Sequence, residues 1–164
     1  MQPSPLPQGD GTNAPGTATG VLPRVLISDD TPDAVELLEA YLGETDYEIR
    51  TAADGEETLR QVNEWHPDLI LLDIMMPKIS GFEVCKRLRA SPSSRETAVL
   101  MITAPDQPSD IERAVEAGTD DFLTKPINKS ELLLRVRSLL KSRQSKRELD
   151  RALAYIEAVE RGDK

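Results

Sequence analysis

The chain has 164 residues, 38% of them hydrophobic and 30% charged, which suits one soluble globular domain with a proper core plus extensions. No apolar run approaches the roughly 18 residues a membrane span requires, and the N-terminus lacks the basic-then-apolar order of a signal peptide, so the cytoplasm is the expected compartment. A net charge of −9 argues against nucleic-acid backbone binding by this segment, which would need clustered Lys and Arg.

Residues 1–20 carry four prolines, four glycines and a single charge without periodicity, the composition of a disordered leader. From Val21 short β-like runs alternate with amphipathic helical runs. Arg24 to Ser28 (RVLIS) is the first predicted strand, followed by Asp29 and Asp30. Thr31 then offers a helix N-cap with Pro32 at the first helical position, and Val35, Leu38 and Leu42 form the inward stripe. Tyr47 to Ala52 is the second strand and Asp54 to Trp65 the second helix. His66, the one histidine, precedes Pro67 in the turn onward, where a capping or surface role is expected.

The third strand, Asp68 to Asp73, contains four consecutive apolar residues, the signature of a strand buried on both faces of a parallel sheet. Asp73 sits where that strand emerges, and ligands of open α/β sheets bind off the carboxyl ends of strands. A glycine-containing loop leads to a third helix over Gly81 to Ala90. The sole cysteine, Cys85, lies near that helix's apolar stripe and excludes an internal disulfide or a cysteine-based zinc site. Ala98 to Ile102 is the fourth strand, with Thr103 at its end, and Ser109 to Ala117 the fourth helix, closed by Gly118. Asp121 to Thr124 is the last strand, ended by Lys125-Pro126. Asn128 to Glu131 resembles a capping box that opens a fifth helix.

Strand centres near Val25, Ile49, Leu71, Met101 and Phe122 fall 24, 22, 30 and 21 residues apart, the spacing of repeated strand–helix units. The expected fold is therefore α/β, a doubly wound five-stranded parallel sheet with five helices on its two faces. Beyond Leu140 the charge balance turns from −11 over residues 1–140 to +2 over 141–164. A run that is polar all round, residues 141–148, precedes Leu149, Ala152, Ile156 and Val159 at heptad-like spacing. This predicts a last helix extended into a coiled-coil-like tail; the alternative is a helical tail packed on its own domain.

At the carboxyl ends of the predicted strands Asp29, Asp30, Asp73, Thr103 and Lys125 share one rim. Three crowded carboxylates repel, a divalent cation relieves the repulsion, and an oxygen-only, partly hydrated site suits Mg²⁺. With Lys and Thr beside the metal, the set suits phosphoryl chemistry, Asp73 being able to attack phosphorus and form an acyl phosphate.

The DD pair after the first strand, the LLDIMMPKISGFE segment, the T-A after the fourth strand and the DDFLTKP segment together resemble the receiver domain of bacterial two-component response regulators, over residues 21–141. The resemblance implies the flavodoxin-like strand order 2-1-3-4-5. It implies Asp73 as phosphoacceptor, Asp30 and Asp73 as direct Mg²⁺ ligands, Asp29 acting through water and the Met75 backbone carbonyl as a further ligand. Thr103 and Lys125 correspond to the phosphoryl-binding pair, Phe122 to the aromatic switch position, and Lys125-Pro126 to a cis-proline junction. Implied partners are a sensor histidine kinase or phosphotransfer protein, and a second copy through the fourth-helix to fifth-helix face and the C-terminal helix. Pro105 after Ala104, and Phe122 in place of the commoner Tyr, depart from the usual pattern without removing a required group. A constitutive docking domain with a vestigial pocket and an aspartate-dependent phosphatase are the competing readings; the phosphatase lacks its second acid, because Met75 occupies that place. Residues 142–164 resemble the helical linker by which some regulators join a receiver to an output module, so the chain is expected to be the N-terminal part of a longer regulator.

Overall fold

The computed structural model describes residues 21–104 and 109–162; the expected leader and Pro105 lie outside the described residues. Five parallel strands, β1 (Arg24–Ser28), β2 (Glu48–Ala52), β3 (Leu69–Asp73), β4 (Ala98–Thr103) and β5 (Asp121–Thr124), form one sheet in the order β2-β1-β3-β4-β5. The helices are α1 (Pro32–Leu42), α2 (Gly55–Trp65), α3 (Gly81–Ala90), α4 (Ser109–Ala117) and α5 (Lys129–Glu160).

The apolar run of β3 behaves as its composition requires, since Leu69 to Leu72 are all fully buried. Side chains alternate across a strand, so Leu69 and Leu71 join Leu38, Leu42, Leu132 and Val136 on the α1–α5 face. Ile70 and Leu72 join Val62, Trp65, Phe82, Val84 and Leu88 on the face covered by α2, α3 and α4. Cys85 is fully buried in this second core, and burial pushes its thiol pKa up to about 11, which makes it a packing residue.

Element ends differ from expectation where side chains compete for backbone groups. Thr31 sits at the N-cap of α1 in extended conformation but its side chain makes no cap bond; its own N–H donates to Asp29 Oδ1 at 2.9 Å. Asp54 stands outside α2 as a true cap, accepting from Glu57 N–H at 2.8 Å. His66 closes α2 in the left-handed region (φ 53°) and is exposed, and Gly118 follows α4 at φ 96°. Asn128 caps α5, accepting from Glu131 N–H at 3.1 Å.

α5 runs unbroken for 32 residues. Its first turns pack on β3, β4 and α1; then it passes the amino-end rim of the sheet. There Arg143, mostly buried, bonds Asp68 Oδ1 and donates to the Glu96 carbonyl at 3.0 Å, while Arg147 approaches the same Asp68 oxygen at 3.5 Å. Asp68 Oδ2 accepts from Arg24 N–H at 2.8 Å, so one carboxylate ties the β3 entry, the β1 entry and the helix together. Past this clamp Leu149, Leu153, Ile156 and Val159 are each at least half exposed. The root of the tail therefore packs on its own domain, while its outer turns leave these apolar side chains open to solvent. No helix among the described residues is long and apolar enough to cross a membrane.

Candidate functional site

Parallel register brings the ends of β1, β3, β4 and β5 to one rim, and the polar residues beyond them meet there. Asp29, Asp30 and Asp73 present carboxylate oxygens that all lie within 4.8 Å of one another. Asp29 and Asp73 are buried, at 2% and 6% exposure, and Asp30 is open to solvent.

Each acid is oriented by its local chain. Asp29 Oδ1 accepts from Thr31 N–H, and Oδ2 faces Lys125 Nζ at 3.5 Å. Asp73 Oδ1 accepts from Met75 N–H at 3.3 Å, and Oδ2 lies 3.9 Å from the same ammonium. Lys125 is delivered by β5, whose end is stitched to β4 by its own N–H donating to the Thr103 carbonyl at 2.8 Å; the Lys125–Pro126 bond next in the chain is cis.

Burial, and next the charge of Asp29, push the Asp73 pKa up to about 6. Lys125 and the Met75 N–H pull the other way without cancelling these effects. The pocket therefore carries more negative charge than its one lysine offsets. Such a donor set, all oxygen and open to solvent on the Asp30 side, fits a hard divalent cation.

The remaining expected residues are near the rim but differently engaged. Thr103 is buried at the end of β4, yet its hydroxyl donates to the Ala104 carbonyl at 3.1 Å and lies 3.5 Å from Asp110 Oδ2. Phe122 is half-buried, packed against the α2–α4 core. Met75 turns its side chain outward at 72% exposure.

Three features are not legible in the sequence. A Cβ on Gly81 would meet the Asp73 carbonyl oxygen at 2.4 Å and Ile74 Cα at 2.8 Å, so only glycine lets α3 start against the site strand. Gly55 similarly admits the Ile79 carbonyl, 2.4 Å from where its Cβ would be. Asp110, at 6% exposure, is a buried acid in the first turn of α4. The glycines are visible as letters, but which backbone approaches them is set by packing between elements remote in sequence.

The model of the response regulator receiver domain matches residues 25–137. The response regulator PleD of Caulobacter vibrioides is 47% identical over 116 residues, 71% of this chain and 26% of that protein. The alkaline phosphatase synthesis transcriptional regulatory protein PhoP of Bacillus subtilis is 41% identical over 118 residues, 72% of this chain and 48% of its own length. This chain thus spans half or less of these relatives. Among solved structures, the signal receiver domain of a signal transduction histidine kinase from Syntrophus aciditrophicus is 35% identical, with a TM-score of 0.70, over 73% of this chain and 91% of that one. Sheet order, helix placement and the matched span agree, and the chain belongs to the response regulator receiver domain family.

Proposed function

We propose that Asp73 accepts a phosphoryl group from a phosphohistidine of a sensor histidine kinase or phosphotransfer protein, with Mg²⁺ bound at Asp29, Asp30, Asp73 and the Met75 carbonyl. The observation that carries this reading is the convergence of three carboxylates within 4.8 Å with Lys125 at 3.5 and 3.9 Å from two of them. Asp30 and Asp73 would ligate directly and Asp29 through water. The ion would supply charge neutralisation between the acids and the incoming phosphoryl oxygens.

Asp73 is the nucleophile: its free oxygen forms the new O–P bond as the N–P bond of the donor breaks, and the electron pair stays with the imidazole. Lys125 is in reach to bind a phosphoryl oxygen, and Thr103 would turn its hydroxyl to another, letting the half-buried Phe122 ring move inward. An apolar groove lined by Ala34, Leu37, Tyr41, Pro126 and Ile127 opens beside Asp29 and Lys125 and would seat the phosphodonor's helix.

The product is a conformational state, and no turnover of a released substrate belongs to this reading. Ile111 and Val115 of α4 and Leu134 of α5 are exposed, and Arg135 ties α5 to Asp121 of β5 at 2.7 Å, which would make α4, β5 and α5 one docking face. That face and the outer turns of α5 would hold a second copy. The relatives' greater length supports a receiver of residues 21–141 within a longer cytoplasmic regulator, with 142–164 as linker.

Acetyl phosphate with Mg²⁺ should add one phosphoryl mass to the wild-type chain and none to Asp73→Asn. Folded wild-type protein that never labels, or Asp73→Asn protein that labels equally at the same peptide, would refute the assignment. Mg²⁺ removal by chelator should abolish labelling.

A further inference from the structure

We propose that the start of α2 positions the loop of the metal site: Gly55, with the ion pairs of Lys78 to Asp54 and Glu56, holds residues 74–80 where Met75 meets the acids. This rests on Mg²⁺ being bound at Asp73 and the Met75 carbonyl.

Residues 74–80 link the end of β3 to α3, and their place bears directly on the acids, because Met75 N–H donates to Asp73 Oδ1 at 3.3 Å. The loop is closed at its base by Gly81 N–H donating to the Ile74 carbonyl at 2.9 Å, and Met76 anchors it in the core. Beyond Met76 it leans on α2. Lys78 Nζ lies 3.5 Å from Asp54 Oδ2 and 3.4 Å from Glu56 Oε2. Ile79 sits over Gly55, where a Cβ would meet the Ile79 carbonyl oxygen at 2.4 Å and the Ile79 Cβ at 2.7 Å.

Two of these residues make sense only through that contact. Gly55 opens α2 without a left-handed φ to call for glycine, and the approach of Ile79 is what requires it. Lys78 holds φ 70°, a region that costs a residue with a side chain, and its two ion pairs offset that cost. The seat is rigid: Asp54 accepts from Glu57 N–H at 2.8 Å, while the Glu57 carboxylate accepts from Ala53 N–H at 3.0 Å. The Glu57 N–H first, and then Lys78, hold the Asp54 carboxyl below its ordinary range, so it faces the ammonium as an anion at neutral pH.

The test is Mg²⁺ titration of the full chain, followed by amide shifts at the site. Lys78→Gly removes a positive charge from a protein that must attract a cation, so charge alone would tighten Mg²⁺ binding. Loss of the hold should instead weaken it about threefold, since glycine takes this backbone freely and no ion pair keeps it there. Lys78→Arg, which reaches both acids, should stay within about 1.5-fold of wild type. Gly55→Ala drives its Cβ into the Ile79 backbone and should weaken binding about tenfold. In acetyl phosphate labelling, Lys78→Gly should need about threefold more Mg²⁺ for half-maximal rate and keep the wild-type rate at saturating Mg²⁺. In metal-free protein its amides 75–80 should exchange faster while those of α2 stay protected. The proposal is overturned if folded Gly55→Ala or Lys78→Gly protein binds Mg²⁺ as tightly as wild type or more so, or if loop exchange is unchanged. Should Gly55→Ala fail to fold, Lys78→Gly decides alone. Wild type that binds no Mg²⁺ is a different result: it would remove the metal reading, and the metal-free exchange would still report on the hold.

Discussion

Asp73 lies among like charges with little access to water, so replacing its carboxylate by the isosteric amide should relieve repulsion at no cost in packing. Without Mg²⁺ at pH 7.5, Asp73→Asn should melt roughly 2 to 6 °C above wild type. The pH dependence comes from the raised pKa of about 6 against an ordinary 3.8. Between these values the folded state holds more protons than the unfolded one, so this contribution to stability falls as pH rises and is fully unfavourable above pH 6. The gap between variant and wild type should therefore narrow as pH drops toward 4, which scanning fluorimetry across pH would read. Mg²⁺ titrated by calorimetry should bind more weakly at pH 5.5 than at 7.5, because protonation of Asp73 competes with the cation. Equal melting of the two proteins at pH 7.5 would contradict the electrostatic account.

At the scale of elements, two joints decide whether the site stands. The α3 start is pressed on β3 at Gly81, and Gly81→Ala would force its Cβ against the Asp73 carbonyl and the Ile74 Cα, both backbone. Backbone cannot yield as a flexible side chain can, so the variant should lose about 2 kcal/mol or more in urea unfolding and label poorly at Asp73. The second joint is the Asp68 clamp on α5. Asp68→Ala leaves the mostly buried Arg143 without its carboxylate and should cost about 1–3 kcal/mol. Hydrogen exchange should then quicken in residues 143–150 while β4 stays protected; unchanged exchange there would mean the clamp does not hold the helix.

On the scale of the whole molecule, the clamp gives α5 a fixed departure from the sheet, and the turns beyond it expose Leu149, Leu153, Ile156 and Val159. An apolar stripe of this spacing is covered at least cost by an identical stripe, as in a short coiled coil. Sedimentation should show concentration-dependent dimers strengthened by beryllofluoride, and Ile156→Glu should return them to monomers with Asp73 labelling intact. A monomer with and without beryllofluoride would exclude this use of the helix.

The sequence by itself determined the element order, the parallel sheet and the rim on which the acids meet. Hydrophobic periodicity, unbroken apolar strands and residues such as Asn128 and Gly118 act within a few positions and are legible as local pattern. It also supplied the identities at the site, since Asp29, Asp30, Asp73, Thr103 and Lys125 each mark the end of a recognisable strand. Only the tertiary structure decided which of them touch. Lys125 meets Asp29 from 96 residues away, while the Thr103 hydroxyl turns to the Ala104 carbonyl instead of the three site acids. It likewise decided that Asp68, which reads as a strand flank, binds Arg143 across 75 residues, and that Gly81 is the space into which the Asp73 carbonyl fits. The reason is physical: local pattern fixes which face a residue turns to, whereas a distance of about 3 Å between elements, the length of a hydrogen bond, depends on strand register and on how the helices settle on the sheet.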